Sequence, residues 1–252
     1  MKNTVRFEAE VVIQVRGLPS AAHNPFDYSL NRKDTMSRIC VIFDLDGTLV
    51  DSETICNQAF LDLLPELNVT VESLVRSFRG KKLALILVEL AARLGKPLPD
   101  GFEQSYRGRV AELFDVMLQP TPGAREMLEG MRFQKCVASS GPIEKISQAL
   151  DVSGLAPYFG NNVFSSYLVG SWKPDPGLFL HAARCMGFAP HLCVVVEDSN
   201  VGLRAAAAAG MRALHYAPHS GGNVEYSGHC FQHMAQLSQL IEGLAHTIQL
   251  GA

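Results

Sequence analysis

The sequence predicts an α/β protein built on a parallel sheet, and three observations predict it. Short apolar runs alternate with segments of helical periodicity, the pattern of successive βαβ units. The first run, Val41-Ile42-Phe43, is continuously apolar, as a strand buried on both faces must be. It ends in Asp44-Leu45-Asp46-Gly47, two carboxylates two residues apart and then a glycine that permits a turn. Doubly wound sheets bind their ligands at such strand ends.

Each element follows from a local pattern. Strands are expected at Ile39–Phe43, Cys136–Ala138, Asn162–Phe164, Leu192–Val196 and Arg212–His215. Pro142–Leu150 opens with a proline, which suits a first helical position. Asp175–Met186 carries an apolar stripe and ends at Gly187, a C-cap residue. Ser199–Ala209 is alanine-rich, begins with a capping serine and stops at Gly210.

One interval breaks the alternation. Residues 52–120 show no strand, only helical periodicity in Ile55–Leu64, Leu83–Leu94 and Phe102–Met117. A parallel crossover needs little more than a dozen residues, so the block reads as an inserted all-helical domain. The Pro120-Thr121-Pro122-Gly123 stretch returns the chain to the sheet. The expected organisation is therefore a poorly ordered N-terminal extension over 1–35, a catalytic core of 36–51 and 121–252, and the helical insertion of 52–120. Met36, three residues before the first strand, is where a domain of this kind would begin.

With 47% apolar and 19% charged residues in 252, the composition is that of an ordinary globular protein able to bury a substantial core. A net charge of −3 and the lack of a long basic run argue against nucleic acid as a partner. No stretch is long and apolar enough for a membrane span, and the first thirty residues lack a signal-peptide core. The six cysteines are scattered without a C-x-x-C pair, which fits reduced thiols in a cytoplasmic protein. His215, His219, His229 and His233 match no zinc spacing and are expected on a solvated loop and helix face.

The chemistry concentrates at strand ends. Asp44 and Asp46 repel each other, so their burial calls for a cation, a proton or both. Downstream, Ser139-Ser140-Gly141-Pro142 offers hydroxyls and backbone N–H groups to an anion at a helix start. Lys173 is framed by Pro174 and Pro176, and could balance the acids and hold a phosphate. Glu197-Asp198 adds two more carboxylates, and an oxygen-rich set of this kind suits Mg²⁺ rather than zinc.

Together, Asp44-Leu45-Asp46-Gly47-Thr48, Ser139, Lys173 and Glu197-Asp198 resemble the four motifs of the haloacid dehalogenase-like hydrolases, in order, over about residues 38–240. The insertion resembles that superfamily's C1 cap on a Rossmann-like core. Arg79-Gly80-Lys81-Lys82-Leu83, Trp172-Lys173-Pro174-Asp175-Pro176 and Val196-Glu197-Asp198-Ser199 are further similar to bacterial 6-phosphogluconate phosphatases. The resemblance implies that Asp44 is a nucleophile forming an aspartyl-phosphate. It makes Asp46 the general acid and then base. Mg²⁺ is expected on the Asp44 carboxylate, the Asp46 backbone carbonyl and Asp198, with Glu197 as an extra or neighbouring ligand. Thr48 is expected to orient Asp46 and, with Ser139, Ser140 and Lys173, to serve the phosphoryl group. The carboxylate at 46 speaks against dehalogenation, since a departing halide needs no proton.

Over the site, the insertion offers Arg79, Lys81, Lys82, Arg107 and Arg109 as cations for a second anionic group on the substrate, Lys82 first among them. The expected function is a Mg²⁺-dependent phosphatase of a small phosphorylated sugar or sugar acid, acting as a monomer or weak homodimer. A hexose-phosphate mutase resembling β-phosphoglucomutase is the enzyme alternative, and a non-catalytic ligand-binding protein of the same fold is the other.

Overall fold

Strand β1 (Cys40–Phe43) lies in the middle of the sheet, and all four of its residues are inaccessible to solvent. The structure, a computed structural model, describes residues 39–218 and 228–250. The expectations for residues 1–35, for Met36 and for His219 fall outside these described residues. On one side β1 pairs with β2 (Gln134–Ser139), on the other with β4 (Cys193–Glu197). Strands β3 (Val163–Ser165), β5 (Arg212–Tyr216) and β6 (His229–Phe231) complete a six-stranded sheet in the order β3-β2-β1-β4-β5-β6, parallel throughout.

That order winds outward from β1 in one direction and from β4 in the other. The reversal leaves a crevice at the carboxyl ends of β1 and β4, where open α/β sheets take their ligands. The register aligns Phe43 with Val196, and the Asp44 amide donates to the Val196 carbonyl at 2.9 Å. Asp44 and Glu197 therefore leave the sheet side by side.

Helices α5 (Ala124–Gly130), α6 (Ile143–Val152) and α10 (Leu237–Leu250) bury their apolar residues with Val41, Phe43 and Val137. Helices α8 (Gly177–Met186) and α9 (Asn200–Ala208) cover the opposite face, against Cys40, Ile42 and Val195. The short α7 (Ser166–Val169) follows β3. Alternate residues of β1 thus serve two different cores, as the pleat requires. Ala205 and Ala206 of α9 are fully buried, and their small side chains bring the helix close to the sheet. Its N-cap is Ser199, whose hydroxyl accepts from the Gly202 amide at 3.2 Å.

Some boundaries differ from expectation. Pro142 occupies the N-cap of α6 rather than its first turn, and α8 starts after Pro176 rather than at Asp175. The sixth strand was not expected. Only one of its three residues is buried, so it lacks the apolar run that marks the other strands. His215 also departs from the solvated placement expected of it. It lies on β5, is buried, and sits 3.2 Å through Nε2 from the Asp198 carbonyl.

Between β1 and β2 the chain is helical: α1 (Glu53–Leu63), α2 (Val71–Phe78), α3 (Leu83–Leu94) and α4 (Phe102–Met117). Helix α2 lies outside the expected helical segments, although Thr70 caps it and Leu74 and Phe78 recur at helical spacing. Its apolar face meets a ring cluster in which Phe60 stacks on Tyr106 (centroids 4.1 Å) and meets Phe78 edge-on (6.0 Å). The two strands of chain that join this insertion to the sheet run alongside each other. Val50 bridges Pro120, and the Thr121 amide donates to the Leu49 carbonyl at 2.9 Å.

Phe60 is buried and holds this aromatic cluster together. Phe60→Ala is expected to destabilise the protein by about 3–5 kcal/mol, read as a fall in the urea midpoint. A midpoint within error of the parent would show that the cluster contributes nothing.

Candidate active site

Three strand ends and one loop meet at a cavity of about 950 Å³ between the sheet and the insertion. From β1 come Asp44 and Asp46. Gly47 follows with φ of +85°, a conformation that favours glycine. A Cβ at this position would lie 2.6 Å from Asp198 Oδ2, so the missing side chain is also what admits the Asp198 carboxylate beside the turn. From β2 comes the Ser139–Gly141 turn. Ser139 is buried and its hydroxyl accepts from the Gly141 amide (3.1 Å), while Ser165 donates to the Gly141 carbonyl (2.6 Å). Ser140 and Gly141 line the cavity.

Lys173 projects from the loop before α8, after which the Lys173–Pro174 peptide bond is cis. Its ammonium donates to Asp44 Oδ1 (2.5 Å) and Glu197 Oε1 (2.7 Å), with all three side chains almost fully enclosed. Glu197 Oε2 accepts from both the amide and the hydroxyl of Ser199, at 2.6 and 2.8 Å. Asp46 has a separate cation. Lys145 donates to its Oδ1 at 2.6 Å and Ser52 donates to the same oxygen.

These partners push the two β1 carboxylates in opposite directions. Burial raises the Asp44 carboxyl to about 7; Lys173 pulls it down, and Glu197 and Asp46 work against that pull. Burial acts on Asp46 as well, but Lys145 and the hydrogen bonds from Lys145 and Ser52 outweigh it and hold the group below the usual carboxylate range. Asp198 is driven well above that range by burial and by the charges of Glu197, Asp44 and Glu53. Lys173 stays charged despite burial because Asp44 and Glu197 face it, and Lys145 does so because of Asp46. Carboxylates outnumber cations at the floor of the cavity.

A model of the haloacid dehalogenase-like hydrolases matches residues 40–210, from the first strand to the end of the helix after Asp198. The chain belongs to the haloacid dehalogenase-like hydrolases. It is 36% identical over 211 residues to the 6-phosphogluconate phosphatase of Escherichia coli (strain K12), covering 81% of this chain and 96% of that protein. A haloacid dehalogenase-like protein of unknown function from Agrobacterium tumefaciens str. C58 superposes with a TM-score of 0.72 at 28% identity, over 82% of this chain and 98% of the other. A hydrolase of the family from Deinococcus radiodurans R1, with bound phosphate and sodium, gives 0.68 at 26% identity, over 84% and 97%.

Within this haloacid dehalogenase-like fold, the structure sorts the residues expected at the site. Asp44, Asp46, Ser140, Lys173, Glu197 and Asp198 all line the cavity, as do Arg79 and Lys82. Thr48 takes a different place from the one expected. It is buried and donates to Asp198 Oδ1 at 3.3 Å, away from Asp46, and it is absent from the cavity wall. Ser139 is likewise behind the wall, where it shapes the turn. Glu197 does not stand free as a metal ligand, because Lys173 and Ser199 occupy both of its oxygens. Among the described residues, no three His, Cys, Asp or Glu side chains come together in a metal-holding group.

Lys145, Ser52 and Glu53 escaped the sequence reasoning. Lys145 did leave a signal: a cation in the first turn of α6, where the helix dipole disfavours positive charge, needs a strong partner. Glu53 takes the Arg79 guanidinium at 2.5–3.1 Å, and the same guanidinium is 4.0 Å from Asp198.

The raised Asp44 carboxyl gives a stability prediction. Unfolded, the group ionises near about 3.9; folded, it does so at about 7. Between those values the folded chain holds a proton that the unfolded chain has lost, so this group's contribution to stability falls as pH rises. Asn does not titrate. Metal-free Asp44→Asn should therefore gain more in melting temperature over the parent at pH 8 than at pH 5. An equal shift at both would mean that Asp44 ionises like an exposed carboxylate.

Proposed function

We propose that this hydrolase is a Mg²⁺-dependent phosphatase acting on a small phosphorylated sugar or sugar acid through an aspartyl-phosphate. The observation that carries this is the division of the two β1 carboxylates. Asp44 is gripped by Lys173, and Asp46 by Lys145 and Ser52, on the floor of one cavity. Separate partners let the two acids be tuned independently: without metal Asp44 is the raised group and Asp46 the lowered one, and a cation on Asp44 with a phosphate drawing Lys145 from Asp46 would reverse that order into nucleophile and proton carrier.

In this reading Asp44 attacks phosphorus and Lys173 keeps its carboxylate oriented. Asp46 gives a proton to the departing alkoxide and later takes one from water. Lys145 holds Asp46 ionised, the state required for the second step. An incoming phosphate dianion competes for that lysine and so favours the protonated state required for the first. Lys173 and the Ser140–Gly141 turn are placed to meet the phosphoryl oxygens, whose charge is the main thing such a site has to stabilise.

The residues fit a hard divalent cation. The donors are oxygens only, both carboxylates are pushed upward by burial and then by neighbouring acids, and Gly47 leaves the space that brings Asp198 against the turn. Asp44, Asp198 and the Asp46 backbone carbonyl would hold Mg²⁺, with Glu197 acting behind them through Lys173 and Ser199. When bound, the cation would neutralise charge on the phosphoryl group and the nucleophile.

Residues 52–120 serve in this proposal as the cap over a core of 36–51 and 121–252. Cap closure excludes water and completes the substrate contacts. Gly80 of the cap lies against Val201 and Ser199 at the start of α9, so the cap turn reaches the catalytic edge. The sugar part is supported by Asn57. Its side chain lines the cavity, where an amide could meet a substrate hydroxyl.

Released phosphate from a panel of sugar phosphates, 6-phosphogluconate included, checks the reading directly. Asp44→Asn should reduce turnover by about a thousandfold or more, and full activity in that variant would remove Asp44 as nucleophile. Incubation with β-glucose 1-phosphate separates the mutase alternative. Inorganic phosphate is the expected product, and conversion to the 6-phosphate would replace the phosphatase by a mutase.

A further inference from the structure

The cations of the helical insertion are sorted by what already holds them. Arg79 is spent on Glu53, Lys81 on Glu89 (2.7 Å), and Arg109 on Asp62 (2.7 Å) and Glu112 (2.9 Å). Lys82 differs. Among the described residues no carboxylate lies within ion-pair distance of it, and its ammonium rests 5.1 Å from the centroid of the Trp172 ring. Trp172 meets Tyr167 edge-on at 5.5 Å. Tyr167 in turn receives Arg107, which donates to its hydroxyl at 3.1 Å and lies 5.7 Å from its ring centroid. Lys82, Arg107, Tyr167 and Trp172 all line the cavity that holds Asp44.

An aromatic face positions a cation without neutralising it, because the ring contributes a quadrupole and no net charge. Two insertion cations are therefore held on one aromatic pair from the sheet side, with charge left to offer. Arg107 shares its charge with Glu103 (2.6 Å), and Glu144 lines the same cavity, so Lys82 is the stronger of the two. Trp172 immediately precedes Lys173, which fixes the pair relative to the lysine that grips Asp44.

We propose that Lys82 and Arg107, seated on Trp172 and Tyr167, form a second anion subsite that takes the carboxylate of a phosphorylated sugar acid. The proposal rests on the phosphatase activity above and narrows its substrate class. Phosphorylated polyols without an acid group fill the same cavity but leave this subsite unanswered.

The test compares 6-phosphogluconate with glucitol 6-phosphate, which differ only in carboxylate against hydroxymethyl. The parent enzyme should prefer the acid in kcat/KM. Lys82→Met should cut that preference about tenfold, through KM for the acid rather than kcat, and Lys82→Arg should restore most of it. Arg107→Met and Tyr167→Phe should act in the same direction with smaller effect. Equal losses on both substrates in Lys82→Met would reduce the residue to a structural part of the insertion and overturn the subsite. A parent preference for glucitol 6-phosphate would overturn it too, while leaving the phosphatase intact. Phosphate release from neither compound, nor from the wider panel, would defeat the phosphatase reading itself and the subsite with it.

Discussion

The buried contact of Lys173 with Asp44 and Glu197 is the interaction on which the rest of this structure depends. A carboxylate at the end of the central strand cannot be enclosed without a partner. The sheet supplies one by placing Asp44 and Glu197 next to each other at its point of reversal, with a single ammonium between them. Removing Lys173 would leave two buried carboxylates with no cation between them. Glu197 is fixed from behind by Ser199, which also caps α9, so one serine links helix start, acid and lysine. The position of Asp44 is thereby set by the topology, and the cavity is built around it.

A second, looser set of contacts surrounds this one. Asp46 and Lys145 are paired at the cavity wall, with both side chains about a quarter exposed, where a charged substrate can compete. Among the described residues, Asp198 has the Arg79 guanidinium at 4.0 Å and the Thr48 hydroxyl at 3.3 Å. The site thus grades from a locked triad to a pair that can exchange partners to an acid held at longer distances.

Much of this was legible in the sequence, and the reasons for the exceptions are physical. A strand buried on both faces must be apolar throughout, so β1 and β4 announced themselves, and the acids that follow them could only lie at the sheet edge. Strand β6 could not be read because it borrows its order from Tyr216 and its neighbours rather than from its own composition. Chain order also says which residues are near but not which way they face. Thr48 therefore proved to serve Asp198, and Glu197 to serve Lys173. His215 looked like one of several surface histidines until the sheet placed it beneath the Asp198 carbonyl. Lys145 was hidden by its setting inside a helix, where a lysine attracts no notice unless its position in the first turn is weighed.

The paired linkers at Leu49–Val50 and Pro120–Thr121 have a consequence of their own. Because the chain leaves the sheet and returns to it through neighbouring, hydrogen-bonded segments, the sheet experiences the helical block as a single point of attachment. Helices in that block can lengthen, shorten or be exchanged without altering strand order or the spacing of Asp44, Lys173 and Glu197. On the proposed division of labour, selectivity and chemistry would then lie in separable stretches of the chain, joined at one seam.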